Sequence, residues 1–117
     1  MKYELLESGI AKISLDNGKA NAVSFDLAQE FMVNLDRAKI ESRGVLICGH
    51  VGIFSAGFDL KVMATGPEAA QKMVSKGMLL LEQIYSHPHP VVAACEGHSI
   101  CMGAFIVFVS DYRIGAC

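Results

Sequence analysis

The sequence predicts an α/β fold in which short parallel strands alternate with helices. Two apolar runs, 44–48 and 91–95, have the length and the β-branched content of buried strands. Each run leads into a turn of small residues, 54–61 and 96–103, and a helical pattern follows each turn. Because strands that are joined through helices pair in parallel, this repeat indicates one layered α/β domain over residues 1–117.

The first third of the chain predicts two strands and one long helix. Residues 2–7 and 10–16 form short strands, and the second alternates apolar and polar side chains, as a strand with one buried face does. Ser24 is a candidate N-cap for a helix that ends near Glu41. The apolar side chains of this helix fall mostly on one stripe, which we expect to pack on the sheet: Phe25, Ala28, Phe31, Met32, Leu35 and Ile40.

Three helical segments follow the first apolar run. One opens at Asp59, and a long one spans about 68–86 until the proline-containing segment 87–90 ends it. A third, 104–110, is predicted to be a buried helix, and 111–116 begins another strand. The long helix contributes four core candidates: Met73, Leu79, Leu80 and Ile84.

The composition narrows the class of protein. Hydrophobic residues make up 52% and charged residues 19% of the chain, so it either packs very well or leaves apolar surface for a partner. A net charge of −2, with 10 basic and 12 acidic residues well mixed, argues against nucleic acid and against a membrane surface. The start lacks a signal-peptide pattern, and no apolar run reaches the ~20 residues that span a bilayer. We therefore expect a cytoplasmic protein.

Cysteine and histidine are not arranged as metal ligands. The four cysteines show no Cys-x-x-Cys spacing and are expected to be buried, reduced thiols: Cys48, Cys95, Cys101 and Cys117. His87 and His89 lie close together but without further ligands, so a zinc site is not predicted.

The two turns are the candidate functional elements. In an α/β layer both would lie at the carboxyl ends of their strands, which is where ligands bind. A chain that passes from a strand into a helix exposes backbone N–H groups without partners. We expect one N–H near Phe58 and one near Met102 to point at a shared oxygen, as the donors of an oxyanion hole do.

Four segments, in order and at suitable separations, resemble the crotonase superfamily of enoyl-CoA hydratase/isomerase-like proteins. The similarity covers nearly all 117 residues. The segments are Asn21-Ala22-Val23-Ser24, Phe54-Ser55-Ala56-Gly57-Phe58-Asp59-Leu60, His89-Pro90-Val91-Val92-Ala93-Ala94-Cys95-Glu96-Gly97, and Met102-Gly103-Ala104 followed by Asp111-Tyr112-Arg113-Ile114.

This resemblance implies a fold, a ligand and a site. The fold would be a ClpP/crotonase spiral of ββα units, and a full-length member would form a homo-trimer or hexamer. The ligand would be an acyl-CoA thioester that serves as the substrate, with no cofactor and no metal. The N–H groups of Phe58 and Met102 would polarise the thioester carbonyl and hold its enolate. The resemblance assigns the other substrate contacts to Ala20, Ala22, Ala56, Gly57, Asp59, Leu60, Ser99 and Cys101.

The sequence also departs from the family pattern. Phe105 stands where hydratases of the family carry a glutamate, and phenylalanine cannot activate water. Met102 replaces the usual glycine, and a second acid/base residue would lie past Cys117. The chain resembles the first half of a member and looks truncated, whether as a fragment, a shortened gene product or one piece of an assembly. Isomerisation is favoured over hydration; the alternatives are a non-catalytic acyl-CoA-binding or interaction protein and an inactive fragment.

A few other polar residues have two interpretations each. Glu96 and His98 either touch substrate or serve the turn and the solvent, with the second favoured. Lys61 either meets CoA phosphates or is a solvated lysine. Asp111 and Arg113 are expected to make structural hydrogen bonds around the second turn.

Overall fold

A computed structural model describes residues 1–16, 21–49 and 52–115. Within these residues seven strands form two sheets, and four helices accompany them. The strands are β1 (Lys2–Leu5), β2 (Ile10–Ser14), β3 (Gly44–Cys48), β4 (Gly52–Ser55), β5 (Val91–Cys95), β6 (Gly97–Ser99) and β7 (Tyr112–Gly115). The helices are α1 (Phe25–Glu41), α2 (Leu60–Met63), α3 (Pro67–Tyr85) and α4 (Met102–Val109).

The larger sheet has the strand order β1-β2-β3-β5-β7. The first pair is antiparallel and the other three pairs are parallel, which confirms the predicted parallel pairing. The register places Ile13 opposite Ile47 and Ile47 opposite Ala93. These three side chains are fully buried and lie in the hydrophobic core with the inner faces of α1, α3 and α4.

The smaller sheet was not predicted. β4 and β6 pair in parallel, so segment 96–103 is not simply a turn but contains a strand. The backbones of Gly52 and Gly97 touch, because a Cβ on Gly97 would overlap the carbonyl group of Gly52. Strands of three and four residues that contain glycine and serine have no alternating pattern, and their pairing partners are far apart in sequence.

Helix α1 begins at the predicted position. The Ser24 hydroxyl oxygen accepts the Leu27 N–H at 3.1 Å. The buried face is Leu27, Ala28, Phe31, Leu35 and Ala38. Two predicted core residues are exposed instead, since Phe25 is 38% and Ile40 is 87% accessible. Ile40 comes two residues after Ala38, which in a helix places it on the opposite side from the core.

Helix α3 packs against α1. The Gln83 side-chain amide nitrogen donates to the Met32 carbonyl at 3.0 Å and to the Asp36 carboxylate at 2.9 Å. The predicted core residues Met73, Leu80 and Ile84 are buried, whereas Leu79 is 51% exposed. Leu79 directly precedes Leu80, and adjacent helical residues point about 100° apart, so both cannot face the core.

Helix α4 is buried on one side only, which corrects the prediction of a buried helix. Met102, Gly103 and Ile106 face the core, whereas Phe105 is 47% and Phe108 is 69% exposed. All four residues of β7, the strand that follows, are exposed as well. The composition predicts either very good packing or apolar surface that is left for a partner. The described residues agree with the second alternative, because they leave apolar side chains of α4 and β7 exposed.

The cysteines are less buried than predicted. Cys48 and Cys95 are half-buried and Cys101 is exposed, all with free thiols, and Cys117 lies outside the described residues. Burial raises the pKa of Cys48 and of Cys95. Over residues 1–16, 21–49 and 52–115, no three His, Cys, Asp or Glu side chains group as metal ligands. No helix in the same ranges is long and apolar enough to cross a membrane.

Candidate functional site

The first turn holds Phe58 in a fixed orientation. The Val23 N–H donates to the Gly57 carbonyl at 2.6 Å, and the Asp59 N–H donates to the Val23 carbonyl at 2.9 Å. The residues on both sides of Phe58 are thus bonded to Val23, and the N–H of Phe58 itself points the other way. This N–H donates no hydrogen bond to any residue that the structure describes.

The second turn presents the start of α4. Cys101 has φ 50° and ψ −112°, a sparsely populated conformation for a residue with a side chain, and Met102 is the first residue of the helix. Helix N-termini leave their first N–H groups unbonded. The Met102 N–H has no acceptor among the described ranges, whereas the Gly103 N–H donates to the Ile100 carbonyl at 2.9 Å.

The two turns lie in contact at Gly57. A Cβ on this glycine would stand 2.8 Å from the Ile100 carbonyl oxygen and 3.4 Å from the Met102 nitrogen. Gly57 also has φ +93°, a conformation that side chains other than hydrogen disfavour. The sequence therefore needs glycine here for two reasons, and the close approach brings the backbone of Gly57 next to the Met102 nitrogen.

The side chains of Phe58 and Met102 turn back toward α3. Both lie against Gly77, where a Cβ would be 2.7 Å from the Phe58 ring and 3.2 Å from the Met102 terminal methyl group. Met102 is fully buried and Phe58 is half-buried beside the core. The two side chains thus anchor both turns against α3.

The other predicted contact residues are distributed unevenly around these turns. Ala22, Ala56 and Ser99 are half-buried, Gly57 is buried, and Cys101 is exposed. Leu60 is 76% exposed on α2, and Ala20 lies outside the described residues.

The Asp59 carboxylate is an N-cap of α2. Its Oδ1 accepts the Lys61 N–H at 3.0 Å and the Val62 N–H at 3.4 Å. This role confirms that Asp59 opens a helix. The Lys61 side chain is exposed, as a solvated lysine would be.

Ser99, in the second turn, lies beside Cys95, the last residue of β5. The Ser99 hydroxyl oxygen is buried and makes no hydrogen bond of normal geometry within the described part of the chain. Burial raises the pKa of the Cys95 thiol, and the hydroxyl of Ser99 beside it lowers it in part. The Cys95 thiol is therefore protonated near neutral pH and packs as a small apolar group.

The remaining polar candidates contribute no buried acid or base to the turns. Glu96 and His98 are exposed, and Phe105 carries no proton acceptor. Asp111 and Arg113 make structural hydrogen bonds, as predicted, but not around the second turn. Asp111 accepts the Val91 N–H at 2.8 Å, at the opposite end of β5 from the turn. Arg113 donates to the carbonyl groups at the end of α4.

From the sequence, no structural or functional role is predicted for two polar residues that the structure buries. Both occur in the sequence only as members of the segments that resemble the crotonase superfamily. Asn21 and Ser55 are both 0% exposed. The Asn21 side-chain amide donates to the Phe54 carbonyl, and the Ser55 hydroxyl donates to the Asn21 carbonyl. A serine within the apolar run Ile53-Phe54-Ser55-Ala56 is the signal that could have pointed to them, since a buried hydroxyl requires partners.

The sequence profile of the enoyl-CoA hydratase/isomerase family matches residues 6–117. The chain belongs to this family. Its fold accordingly agrees with crystal structures of enoyl-CoA hydratase/isomerase proteins. One such protein from Pseudomonas syringae superposes with a TM-score of 0.93 at 43% identity, covering 97% of this chain and 49% of the other. A probable enoyl-CoA hydratase from Mycobacterium tuberculosis gives a TM-score of 0.89 at 38% identity, over 96% of this chain and 48% of the other.

Curated proteins are also similar to this chain in sequence over most of its length. A probable enoyl-CoA hydratase from Bacillus subtilis is 31% identical over 92% of this chain and 43% of its own length. The peroxisomal bifunctional enzyme of Danio rerio is 34% identical over 97% of this chain and 15% of its own length. The chain therefore has a crotonase fold over about half the length of the solved relatives.

Proposed function

We propose that this chain binds an acyl-CoA thioester and holds the thioester oxygen with the N–H groups of Phe58 and Met102. The observation that supports this proposal is the pair of unbonded backbone donors on two turns that touch at Gly57. Backbone donors that are fixed before the ligand arrives stabilise developing negative charge without reorganisation. Removing one such donor from an oxyanion hole costs about 3 to 4 kcal/mol of transition-state stabilisation.

Among reactions of this kind, double-bond isomerisation suits the residues better than hydration. Both reactions pass through charge on the thioester oxygen, but hydration also needs a carboxylate that activates water. Phe105, on α4 one turn after Met102, cannot supply it. An isomerase needs only a group that moves a proton between two carbons of the bound acyl chain. In the two turns, the acid or base side chains are the half-buried Asp59, which caps α2, and the exposed Glu96 and His98.

A second candidate function is binding without turnover. The described residues of the two turns contain backbone donors but no buried acid or base, and this combination would retain a thioester without transforming it. The chain also spans only about half the length of the matched structures. An inactive fragment remains the third alternative.

The donor hypothesis is tested by Phe58→Pro beside Phe58→Ala. Proline removes the N–H, whereas alanine keeps it and removes only the ring. We expect the parent chain to melt at a higher temperature with acetoacetyl-CoA, since a ligand at a hundredfold excess over its Kd adds about 2.7 kcal/mol. Phe58→Ala should retain part of this shift and Phe58→Pro should lose it. Equal shifts for the two variants, with equal circular dichroism spectra, would contradict the role of the N–H.

The enzyme and the binder are separated by comparing turnover with retention. A 3-enoyl-CoA is incubated with the chain, and the conjugated 2-enoyl product is followed by its ultraviolet absorbance. Product formation that Phe58→Pro abolishes supports the isomerase. Retention of the unchanged thioester on the protein, measured by equilibrium dialysis, supports the binder. Neither product nor retention supports the inactive fragment.

We also propose that a longer protein containing this chain assembles as a homo-trimer or hexamer, as the family resemblance implies. The exposed apolar side chains of α4 and β7, including Phe108 at 69% and Tyr112 at 70%, support a protein contact there. Sedimentation velocity of the longer protein tests the assembly. A monomer at micromolar concentration would contradict it.

A further inference from the structure

We propose that Ser55 is a positioning residue that sets both oxyanion amides at once. This inference rests on the proposed function, because it concerns the geometry of the same two donors. Ser55 is the last residue of β4 and is 0% exposed, so it does not touch the ligand itself. It acts instead through three backbone segments that converge on it.

The Ser55 hydroxyl group joins the first turn to the segment before α1. It donates to the Asn21 carbonyl at 2.8 Å and accepts the Gly57 N–H at 3.2 Å. The second bond fixes the Ala56–Gly57 peptide, which directly precedes the peptide that carries the Phe58 N–H. A hydroxyl group is needed here because it is donor and acceptor at the same time.

The Ser55 carbonyl group joins the first turn to the second. It accepts the Ile100 N–H at 3.0 Å, two residues before Met102. The start of α4 also lies directly on Ser55, since a Cβ on Gly103 would be 2.5 Å from the Ser55 carbonyl oxygen. The main chain of Ser55 thus sets the position from which Met102 presents its N–H.

Asn21 completes the arrangement from the other side. Its side-chain amide nitrogen donates to the Phe54 carbonyl at 3.1 Å, and its backbone has φ 51°. Two residues after Asn21, the backbone of Val23 hydrogen-bonds to Gly57 and to Asp59, the residues before and after Phe58. The Ser55 hydroxyl therefore holds the segment that orients the first donor, in addition to the turn that carries it.

This convergence matters because an oxyanion hole depends on two donors that reach one atom together. Both N–H groups must lie within hydrogen-bond distance of the same oxygen, at about 2.7–3.1 Å. Ser55 is the residue whose own bonds reach both turns, so loss of its hydroxyl loosens the first donor relative to the second. The expected signature is a less polarised thioester carbonyl rather than an unfolded protein.

The test compares Ser55→Ala and Ser55→Cys with Ser110→Ala. Alanine removes the hydroxyl, and cysteine replaces it with a somewhat larger thiol that is only a weak hydrogen-bonding group. Ser110 is the matched control: it is also buried, at 4% exposure, but its hydroxyl donates only to the Ile106 carbonyl at 2.8 Å, within α4. Ser55→Cys provides a folded variant in case Ser55→Ala does not fold.

The first readout needs no ligand. Backbone amide resonances and hydrogen exchange are measured by NMR in the parent chain and in each variant. We expect Ser55→Ala and Ser55→Cys to shift the Phe58 and Met102 resonances and to speed exchange at Gly57 at least tenfold. Ser110→Ala should leave these positions unchanged. A folded Ser55 variant whose Phe58 and Met102 resonances match those of the parent would overturn the proposal.

The second readout is the infrared carbonyl stretch of bound butyryl-CoA labelled with ¹³C at the thioester carbon. We expect the parent and Ser110→Ala to lower this frequency, and the Ser55 variants to lower it less while binding within tenfold of the parent affinity. Equal frequencies in parent and Ser55 variants overturn the positioning role. If the parent itself neither binds nor shifts the band, the proposed function fails, and the NMR comparison still decides whether Ser55 sets the two amides.

Discussion

Gly77 of α3 lies directly against the ring of Phe58. A Cβ at this position would stand 2.7 Å from Cε1 and 2.8 Å from Cζ of the ring. Carbon atoms in proteins do not pack this closely, so any larger residue must displace the ring. This contact explains why a glycine stands in the middle of a 19-residue helix. Because Gly77 has no side chain, the Phe58 ring of the first turn can pack directly against α3.

Gly77→Ala tests this relationship by a double-mutant cycle. In the parent background, the gain of about 1 kcal/mol in helix propensity is offset by displacement of the Phe58 ring, so we expect little net change in stability. In a Phe58→Ala background the ring is gone, and the same substitution should stabilise by about 1 kcal/mol. Urea unfolding measures all four proteins. Equal effects of Gly77→Ala in both backgrounds would show that the contact has no energetic consequence.

The Asp111 carboxylate is predicted to stabilise the start of β5 through one hydrogen bond, in addition to the bond that the Asp111 backbone N–H donates to the Val91 carbonyl at 2.8 Å. Its Oδ2 accepts the N–H of Val91, a residue that is 0% exposed. Asp111→Ala leaves this buried donor without an acceptor, and we expect a loss of about 1 to 3 kcal/mol in the free energy of unfolding. Asp111→Asn keeps an acceptor oxygen and should lose less than half as much. The expectation is wrong if both variants unfold at the same urea concentration.

The three described thiols should differ in reactivity. Cys101 is exposed, whereas burial raises the pKa of Cys48 and of Cys95 and so lowers their thiolate fraction. In a Cys117→Ser background at pH 8, we expect iodoacetamide to alkylate Cys101 at least about tenfold faster than the other two. Peptide mass spectrometry gives the three rates. Alkylation of Cys95 ahead of Cys101 would contradict this order.

Tyr3 should make the protein less stable at high pH. Burial, and then the nearby Glu41 carboxylate, raise the pKa of Tyr3 from 10.0 to about 12, although the Arg37 guanidinium 4.2 Å above the ring opposes this. Between these two values the unfolded chain releases the phenolic proton while the folded chain keeps it. Its contribution to stability is therefore complete below pH 10 and is lost as the pH rises to about 12.

Tyr3→Phe is the corresponding variant. It removes a buried hydroxyl that has no hydrogen-bond partner of normal geometry among the described residues, so stability at pH 7 should be unchanged or slightly higher. Its free energy of unfolding should fall less steeply above pH 10 than that of the parent. Tyr85→Phe, at a residue that is 76% exposed, is the control and should retain the parent slope. Parallel curves for Tyr3→Phe and the parent would refute the prediction.

Local patterns were sufficient for most of the larger elements. Ser24 and Asp59 are side-chain caps that act on the next few residues, and both helices begin where these residues stand. The apolar runs at 44–48 and 91–95 became neighbouring parallel strands, since the connection between them contains helices α2 and α3 and returns the chain to the same edge of the sheet. The two turns at Phe58 and Met102 were likewise visible, since a turn between a strand and a helix is marked by small residues.

By itself, the sequence determined the family, the two turns, and the order along the chain of the helices and of the strands of the larger sheet. The tertiary structure alone decided the pairing of β4 with β6, the exposure of Phe105, and the place of Asp111 at the far end of β5. It also decided that Ser55 joins three segments. The physical reason is one of range: caps and turns act over a few neighbouring residues, whereas each of these four features depends on partners brought together only when the chain is folded.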